Sequence, residues 1–358
     1  MKLAVIALTK GGAKLGQRIA LAYPEQVDLY LNPLNQPLKQ LTERLFPQYQ
    51  GIVFIMALGI VVRTIAPFLQ DKRKDPAVVC LDEAGTFVIS VASGHLGGAN
   101  KLTIQLAELL SAAPVITTAT DVQGKIAFDV LAVEQDLLIE PFENLRLLNS
   151  ALVNGEKIGL ISQIPAEKLG YQKDSPRWAG ITYHPWTEKW PEQLATNGHY
   201  QYPFMVIITN QEQPIPAIKQ EPVILHLRPK NLIAGIGCRK GVKAEVIISA
   251  IKDALNQAGR SALSLCKLAS VDIKQAEPGL LEAALKLGLP IKFYPALELD
   301  QYLEKHTEIS QSEYVKTQIG VGGVCEPAAM LAGHQTTLVL SKRKYQGVTV
   351  ALAEEKLS

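Results

Sequence analysis

Short apolar segments alternate with longer segments of helical periodicity through the first third of the chain. Continuous apolar runs are typical of buried parallel strands, and helical patterns between such runs are typical of crossover connections. The strand-like runs are residues 3–8, 27–31, 52–57, 77–81, 86–91 and 114–118, and the helical patterns include 36–46 and 59–69. This alternation predicts an α/β domain with a largely parallel sheet, which the segment 121–129 closes.

The 358 residues of the chain are too many for a single compact core, so several domains are expected. Helical periodicity is weak across 138–228, where prolines and tryptophans cluster and where 210–222 has the composition of an exposed linker. A second α/β pattern begins at Asn231 and ends in a strand pair at 336–340 and 347–352. We therefore predict the α/β fold class, with two parallel-sheet α/β domains at the N- and C-termini joined by a smaller middle domain. The predicted boundaries are 1–137, 138–228 and 229–358.

Composition excludes several classes of protein. The formal net charge of +2 argues against a strongly basic nucleic-acid binder. No apolar run approaches the ~18 residues of a membrane span, and the apolar start of the chain is broken at 9–12 without a signal-peptide cleavage site. Cys80, Cys238, Cys266 and Cys325 are scattered without a C-x-x-C pair, which argues against a zinc site or a disulfide framework. We expect a cytoplasmic protein with no metal site and neither nucleic-acid nor membrane partners; its oligomeric state stays open, with a homodimer as one option.

Residues 94–100, Gly-His-Leu-Gly-Gly-Ala-Asn, are the most informative motif of the chain. They follow the apolar run that ends at Val91 and precede the helical pattern that begins at Lys101. A strand, a glycine-rich turn and a helix together expose backbone amides at a helix N-terminus, where anions bind. His95 adds a titratable group there. The motif therefore predicts an oxyanion-binding site, although an imidazole that only shapes the turn is the simpler alternative.

Two further glycine turns lie in the C-terminal part. Residues 235–241 resemble a dinucleotide fingerprint, but the last glycine is displaced by one position and no strand-ending acid follows at the expected distance. Arg239 and Lys240 there suit a carboxylate or phosphate, or they are solvated surface residues. Residues 320–327 lead into an alanine-rich helix, and Glu326 is placed to cap it. That capping role accounts for Glu326 without catalysis.

Taken together, these motifs resemble the cobalt-precorrin-5A hydrolase family of anaerobic cobalamin biosynthesis. The similar segments occur in order along nearly the whole chain: 57–63, 74–79, 82–85, 93–100, 117–121, 235–239, Lys274 with 277–280, 320–329 and 347–351. The chain departs from the family at Ala276, where an aspartate is frequent, and at Pro327, where an alanine is common. The first departure weakens a catalytic role for the segment from Lys274 to Glu277.

The resemblance implies a hydrolysis followed by a fragmentation. The implied substrate is a ring-contracted cobalt tetrapyrrole with a δ-lactone, which water opens before acetaldehyde leaves. Lactone opening needs a general base and donors for the tetrahedral oxyanion. His95 is the candidate base, with Glu326 and Glu83 as the next candidates, and the amides of Gly97 and Gly98 are the candidate oxyanion donors. Cobalt arrives with the substrate, so no cofactor or metal site of the protein's own is implied.

Basic residues are candidates for holding the carboxylates of the macrocycle, since charge-assisted hydrogen bonds suit a polycarboxylate. They are Arg63, Lys101, Arg239 and Lys240. The remaining candidate substrate-binding residues lie in the same motifs: Ser93, Gly94, Asn100, Gly235, Gly237, Lys274, Glu277, Gly322 and Gly323.

Two other functions remain open from the sequence. One is a non-catalytic corrinoid-binding or carrier protein, because proteins that resemble only the C-terminal domain occur in the aerobic pathway. The other is a nicotinamide-dependent oxidoreductase, which would use the turn at 235–241.

Overall fold

The computed structural model of the chain describes residues 1–31, 36–196, 199–212, 221–309, 311, 316–317 and 321–357. Residues 213–220 of the expected linker and Gly320 of the third glycine turn lie outside these ranges. The chain divides into two compact units, Met1–Val133 and Glu134–Ser358.

The described strands of the first unit form one six-stranded sheet in the order β2-β1-β3-β4-β5-β6. The strands are β1 (Leu3–Ala7), β2 (Val27–Leu31), β3 (Gly51–Ile55), β4 (Ala77–Leu81), β5 (Phe87–Ala92) and β6 (Ala113–Val115). The helices are α1 (Lys10–Ala22), α2 (Leu38–Leu45), α3 (Leu58–Ile65), α4 (Ala99–Leu110), α5 (Ala119–Val122) and α6 (Phe128–Glu134). The predicted alternation of strands and helices is confirmed.

This sheet is mixed, so the prediction of a parallel-sheet domain is only partly correct. Strands β1 to β4 are mutually parallel, whereas β5 pairs with β4 in the antiparallel direction and β6 runs parallel to β5. The physical reason is the short turn at 82–86, which cannot hold a crossover connection. The Asp82 carboxylate fixes that turn by accepting the amides of Ala84 and Phe87 at 2.9 and 2.6 Å.

Helices cover both faces of the sheet because side chains of successive strand residues point to opposite faces. In β1, Leu3 and Val5 pack with buried residues of α1 and α4. Ala4 and Ile6 pack with buried residues of α2 and α3 on the other face. Burial of each such aliphatic side chain contributes roughly 1.5–3 kcal/mol. The apolar strand runs are therefore the centre of a three-layer α/β core.

The second unit begins with a five-stranded sheet in the order β7-β13-β12-β8-β9. Its strands are β7 (Leu137–Glu140), β8 (Ile158–Ser162), β9 (Ile181–Pro185), β12 (Phe204–Ile208) and β13 (Val223–Pro229), and β10 (Ala195–Thr196) pairs separately with β11 (His199–Tyr200). The associated helices are α7 (Phe142–Val153) and α8 (Trp190–Gln193), with a 3-10 turn at Pro176–Trp178. Only β7 runs antiparallel to its neighbour, so this sheet is mixed as well.

The last region forms a five-stranded sheet in the order β16-β15-β14-β18-β17. Its strands are β14 (Leu232–Cys238), β15 (Leu265–Val271), β16 (Ile291–Tyr294), β17 (Thr336–Tyr345) and β18 (Val348–Glu355). Its helices are α9 (Ala244–Gln257), α10 (Pro278–Leu287), α11 (Ala296–Lys305) and α12 (Cys325–Leu331), with 3-10 turns at Ala262–Ser264 and Asp272–Lys274. The predicted closing strand pair is confirmed as β17 and β18, which are antiparallel to each other; β18 also pairs with β14 in the antiparallel direction. The expectation of a parallel sheet is therefore wrong at this edge.

Three mixed sheets thus occupy three successive regions of the chain. The domain boundaries given above remain predictions. No helix in the described part of the chain is long and apolar enough to cross a membrane.

Gly235 in β14 permits a close approach between that strand and α12. A Cβ atom at this position would lie 1.7 Å from the carbonyl oxygen of Cys325, the first residue of α12. The backbone of the helix thus occupies the space that any other residue would need. This contact gives Gly235 a packing role that needs no ligand.

We predict that Gly235→Ala lowers the free energy of unfolding of the second unit by about 3 kcal/mol, because overpacking here displaces backbone. The matched control is Gly288→Ala at the end of α10, where φ is 65° and nothing lies within 4 Å of the added Cβ. Only left-handed backbone strain acts there, at about 1 kcal/mol. Urea unfolding followed by tryptophan fluorescence measures both variants, since all tryptophans lie between 178 and 190. Equal losses in the two variants would contradict the packing role.

Candidate active site

The glycine–histidine turn joins β5 to α4, and hydrogen bonds within the turn hold its backbone. The amides of Ala99 and Asn100 donate to the carbonyl oxygens of Ser93 and Gly94 at 3.1 and 2.9 Å. Ser93 and Gly98 adopt left-handed conformations, with φ of 57° and 86°. Glycine adopts the left-handed conformation at position 98 without a steric cost. The turn is therefore fixed by its own backbone.

The backbone amides of Gly97 and Gly98, which are expected to stabilise an oxyanion, differ in whether they already donate a hydrogen bond within the turn. The amide of Gly98 donates to the carbonyl oxygen of His95 at 3.0 Å. The amide of Gly97 has no acceptor among the described residues. A Cβ at Gly97 would lie 2.4 Å from the Cβ of Ser93, which explains the glycine at that position. One of the two expected donors, Gly97, is thus left for a ligand.

The direction of the strands determines which motifs of the first unit meet. Strands β5 and β6 run parallel to each other and opposite to β1–β4. Their carboxyl ends therefore lie at the same edge of the sheet, and the segments that follow them, 93–100 and 117–121, come together there. The turn at 82–86, which contains Glu83, lies at the opposite edge.

Glu83 has a local role at that opposite edge. A Cβ at Gly11 would lie 2.4 Å from Oε1 of Glu83, so the carboxylate lies against the first turn of α1. Negative charge is favourable at a helix N-terminus. The structure therefore does not bring Glu83 to His95.

His95 lies between two carboxylates. Its Nδ1 is 3.1 Å from Oδ1 of Asp129, and its Nε2 is 2.6 Å from Oδ2 of Asp121. The side chains of His95 and Asp129 are 9% and 5% exposed, whereas that of Asp121 is 35% exposed. The three residues form an array that runs from the interior at Asp129 to the solvent at Asp121.

The two carboxylates favour the protonated imidazole. Burial lowers the pKa of His95, but the hydrogen bonds and negative charges of Asp129 and Asp121 outweigh burial, so the pKa is raised above the ordinary value of 6.5. Since a carboxylate only accepts hydrogen bonds, both ring nitrogens of His95 donate in this arrangement. The arrangement thus favours a His95 imidazolium, which offers no free lone pair to water.

Asn100 positions the solvent-facing carboxylate. Its Oδ1 accepts the hydroxyl of Ser90 at 2.6 Å, and its Nδ2 donates to Oδ2 of Asp121 and to Oγ1 of Thr118, both at 3.2 Å. A Cβ at Gly94 would lie 2.8 Å from Oδ1 of Asn100, so glycine at this position leaves room for the Asn100 side chain. Oδ2 of Asp121 receives N–H groups from both His95 and Asn100.

Basic residues lie beside the turn. The carbonyl oxygen of Asp75 is 3.4 Å from the position that a Cβ at Gly97 would take, which places the basic segment 72–74 next to the turn. Lys101 is exposed on the first turn of α4, and Arg63 is exposed on α3. These side chains add positive charge at the surface of the first unit.

The candidates between Gly237 and Glu277 form a separate cluster in the second unit. Glu277, 7% exposed, accepts the amide of Gly241 at 2.8 Å and pairs with Lys274 at 3.3 Å. The hydrogen bond from Gly241, opposed by burial and aided by Lys274, lowers the pKa of Glu277. A Cβ at Gly279 would lie 1.9 Å from the carbonyl oxygen of Val242. Glu277 thus ties the loop after β14 to the start of α10, while Arg239 and Lys240 remain exposed.

The contacts of the turn at 235–241 also argue against a dinucleotide cofactor at this position. A Cβ at Gly237 would lie 2.5 Å from Oγ1 of Thr349, and the buried Glu277 carboxylate already holds the amide of Gly241. The turn at 235–241 is therefore filled by protein atoms and carries a negative charge where a pyrophosphate would need donors. The described residues include no group of three or more histidine, cysteine or acidic side chains placed to hold a metal ion.

Glu326 and the third glycine turn lie in the second unit. Glu326 is 4% exposed, and its Oε1 accepts the amide of Lys342 at 3.1 Å. Gly322 and Gly323 are buried, and a Cβ at Gly322 would lie 2.8 Å from Oε1 of Gln311. The structure gives these residues packing and tethering contacts.

Sequence reasoning did not single out Asp121 and Asp129 as site residues. Asp121 stood only at the end of a threonine-rich segment of the resemblance, and Asp129 only at the end of the closing segment. Both lie in the first turn of a short helix, α5 and α6. The missing information was the pairing of β6 with β5, because their parallel arrangement brings the residues after β6 to the edge where His95 lies.

Comparison with known families gives a match along most of the chain. The family model described as "Cobalamin synthesis G N-terminal" matches residues 40–121, "Cobalamin biosynthesis central region" matches 126–229, and "Cobalamin synthesis G C-terminus" matches 232–353.

Two curated relatives are similar over nearly the full chain, and a third is similar over one part of it. A cobalt-precorrin-5A hydrolase from Priestia megaterium is 35% identical and covers 98% of this chain and 94% of its own. One from Salmonella typhimurium strain LT2 is 34% identical, with 98% and 97% coverage. Protein CobE from Sinorhizobium sp is 35% identical over 124 residues, which are 34% of this chain and 79% of that protein. The chain belongs to the cobalamin synthesis G family, the family of the cobalt-precorrin-5A hydrolases.

Proposed function

We propose that this chain is a cobalt-precorrin-5A hydrolase, which opens the δ-lactone of a ring-contracted cobalt corrinoid and releases acetaldehyde to give cobalt-precorrin-5B. The full-length similarity to two proteins of that name supports the activity. The observation that carries the proposal is the Asp129–His95–Asp121 array beside the open Gly97 amide. A buried charged array with a solvent-facing end suits proton transfer more than simple binding.

The reaction requires the movement of protons and stabilisation of negative charge. Water adds to the lactone carbonyl carbon, and the acyl carbon–oxygen bond breaks to leave a carboxylate and a hydroxyl on the extruded two-carbon unit. That hydroxyl loses its proton and becomes the carbonyl of acetaldehyde as the carbon–carbon bond to the macrocycle breaks. The bonding electron pair passes to the conjugated macrocycle. A base, an acid and an oxyanion donor are thus needed.

Asp121 is the group of the array that can accept a proton from water. Its carboxylate is exposed, and Oδ2 is anchored by His95 and Asn100. His95, with both nitrogens donating, cannot accept that proton. This assignment replaces His95 by Asp121 as the general base and makes His95 the proton donor and positioning group. Asp129 holds the imidazole from the interior side.

The oxyanion and the substrate carboxylates have separate donors in this proposal. The Gly97 amide is the candidate oxyanion donor, since the amide of Gly98 is engaged. The segment 72–74, Lys101 and Arg63 are candidates for the peripheral carboxylates, with attraction by charge rather than by a preformed pocket. The cobalt belongs to the substrate.

The carrier and oxidoreductase alternatives have weaker support. A carrier would not need the protonated His95 array, and the similarity to hydrolases covers the N-terminal motif that carries it. An oxidoreductase would need the turn at 235–241, which the protein's own atoms fill. Cytoplasmic location and a homodimer remain predictions.

We predict that Asp121→Asn lowers the rate of acetaldehyde release roughly 100-fold or more, the scale of lost general-base catalysis. Glu83→Gln is the matched control, because its carboxylate lies at the opposite edge of the sheet, and it should keep nearly full activity. Anaerobic incubation with the lactone substrate and trapping of acetaldehyde measures both variants. A large loss in Glu83→Gln together with an active Asp121→Asn would overturn the assignment.

We predict a pH effect of Asp129→Asn on the same reaction. Protonated His95 is the active form, so activity falls as pH rises through its raised pKa. Loss of the Asp129 charge lowers that pKa, and the alkaline limb of kcat/KM moves to lower pH by about one unit or more. Asp136→Asn is the control, since Asp136 pairs with Lys230 in the second unit. An alkaline limb that stays in place or moves to higher pH would contradict the role of His95.

A further inference from the structure

Ser93 begins the glycine–histidine turn in a backbone conformation that serine rarely adopts. It directly follows β5, and its φ of 57° lies in the left-handed region, where the Cβ of any residue other than glycine is crowded. Glycine would relieve that crowding, as it does at Gly98 in the same turn. The serine side chain is therefore kept here against a backbone preference, as happens at functional sites.

Ser111 shows how the same conformation arises from a structural requirement alone. Its φ is also 57°, but it ends α4, and its amide donates to the carbonyl oxygens of Ala107 and Glu108. A left-handed residue that closes a helix in this way is common. Ser93 ends a strand instead, and its carbonyl oxygen accepts the amide of Ala99 at 3.1 Å. That hydrogen bond accounts for the backbone conformation, but glycine would form it equally well, so it does not account for the serine.

The hydroxyl of Ser93 is not used within the protein. Ser93 is half-buried, and its side chain makes no hydrogen bond with any residue that the structure describes. Its Cβ lies against Gly97, because a Cβ at Gly97 would come within 2.4 Å of it. The amide of Gly97 is the free backbone donor of the same turn. The hydroxyl thus lies beside an unused N–H group, and the two can donate to one oxygen atom.

Two donors that meet at one oxygen atom are the arrangement that stabilises a tetrahedral oxyanion. We propose that Ser93 is a catalytic residue, whose hydroxyl donates together with the Gly97 amide to the oxyanion that forms when water adds to the lactone carbonyl. This inference rests on the proposed hydrolase function. The hydroxyl keeps its proton, since both ring nitrogens of His95 donate to carboxylates and do not activate Ser93 as a nucleophile.

The test compares Ser93→Gly with Ser111→Gly in the full chain. Ser93→Gly removes the hydroxyl and relieves the left-handed backbone, so its thermal unfolding midpoint should equal or exceed that of the wild type in calorimetry. Because the oxyanion is absent from the bound substrate, kcat for acetaldehyde release should fall about 100-fold, while KM changes less than about threefold. Ser111→Gly is the matched control, with the same substitution at the same φ, and should keep the wild-type kcat and KM.

Ser93→Ala separates the hydroxyl from the backbone, since it keeps the left-handed crowding and lacks the hydroxyl. It should lose kcat to the same extent as Ser93→Gly. Near wild-type kcat in Ser93→Gly would overturn the proposal, and so would a raised KM with an unchanged kcat, which marks a contact made equally in the bound substrate. A wild type that releases no acetaldehyde would refute the hydrolase function and this role with it. An active wild type with an equally active Ser93→Gly would refute the role of Ser93 alone.

Discussion

Strand β5 runs antiparallel to β4, and its carboxyl end therefore lies beside the amino ends of β1 to β4. The tight turn at 82–86, fixed by Asp82, imposes this reversal. Because β6 follows the direction of β5, the segment after β6 reaches the glycine–histidine turn. The parallel pairing of β5 and β6 therefore places Asp121 and Asp129 beside His95. The reversal at 82–86 puts this site at the edge of the sheet opposite Glu83.

The site brings together charged groups that burial alone would disfavour. An imidazolium as enclosed as His95 is stable only because carboxylates meet both of its ring nitrogens. The asymmetry in exposure between Asp129 and Asp121 then gives the array a direction, from an anchoring carboxylate inside to a reactive carboxylate outside. Asn100 and the self-bonded turn restrict movement of the outer carboxylate. Such preorganisation is what proton transfer during lactone opening would need.

Much of the fold could be predicted from the sequence, because apolar runs such as 77–81 and the glycine turn before α4 have few alternatives. The expectation of parallel sheets overlooked the connections before β5 and β18, which are too short for a crossover and therefore require antiparallel neighbours. The glycines of the sequence motifs serve different structural purposes. Gly98 serves a left-handed turn at the site, whereas Gly235 serves the approach of α12, and a sequence motif does not distinguish these uses. His95 was found from its context, but its partners and hence its protonation depend on the three-dimensional arrangement.

The protonation state of His95 is the central claim, and ¹⁵N NMR of the ring nitrogens measures it directly. The spectrum is recorded on the resting protein at about pH 7.5, roughly one unit above the ordinary pKa of a histidine side chain. The account predicts that both ring nitrogens of His95 still carry protons under those conditions. A neutral imidazole with an unprotonated Nε2 would contradict it and would return the role of general base to His95.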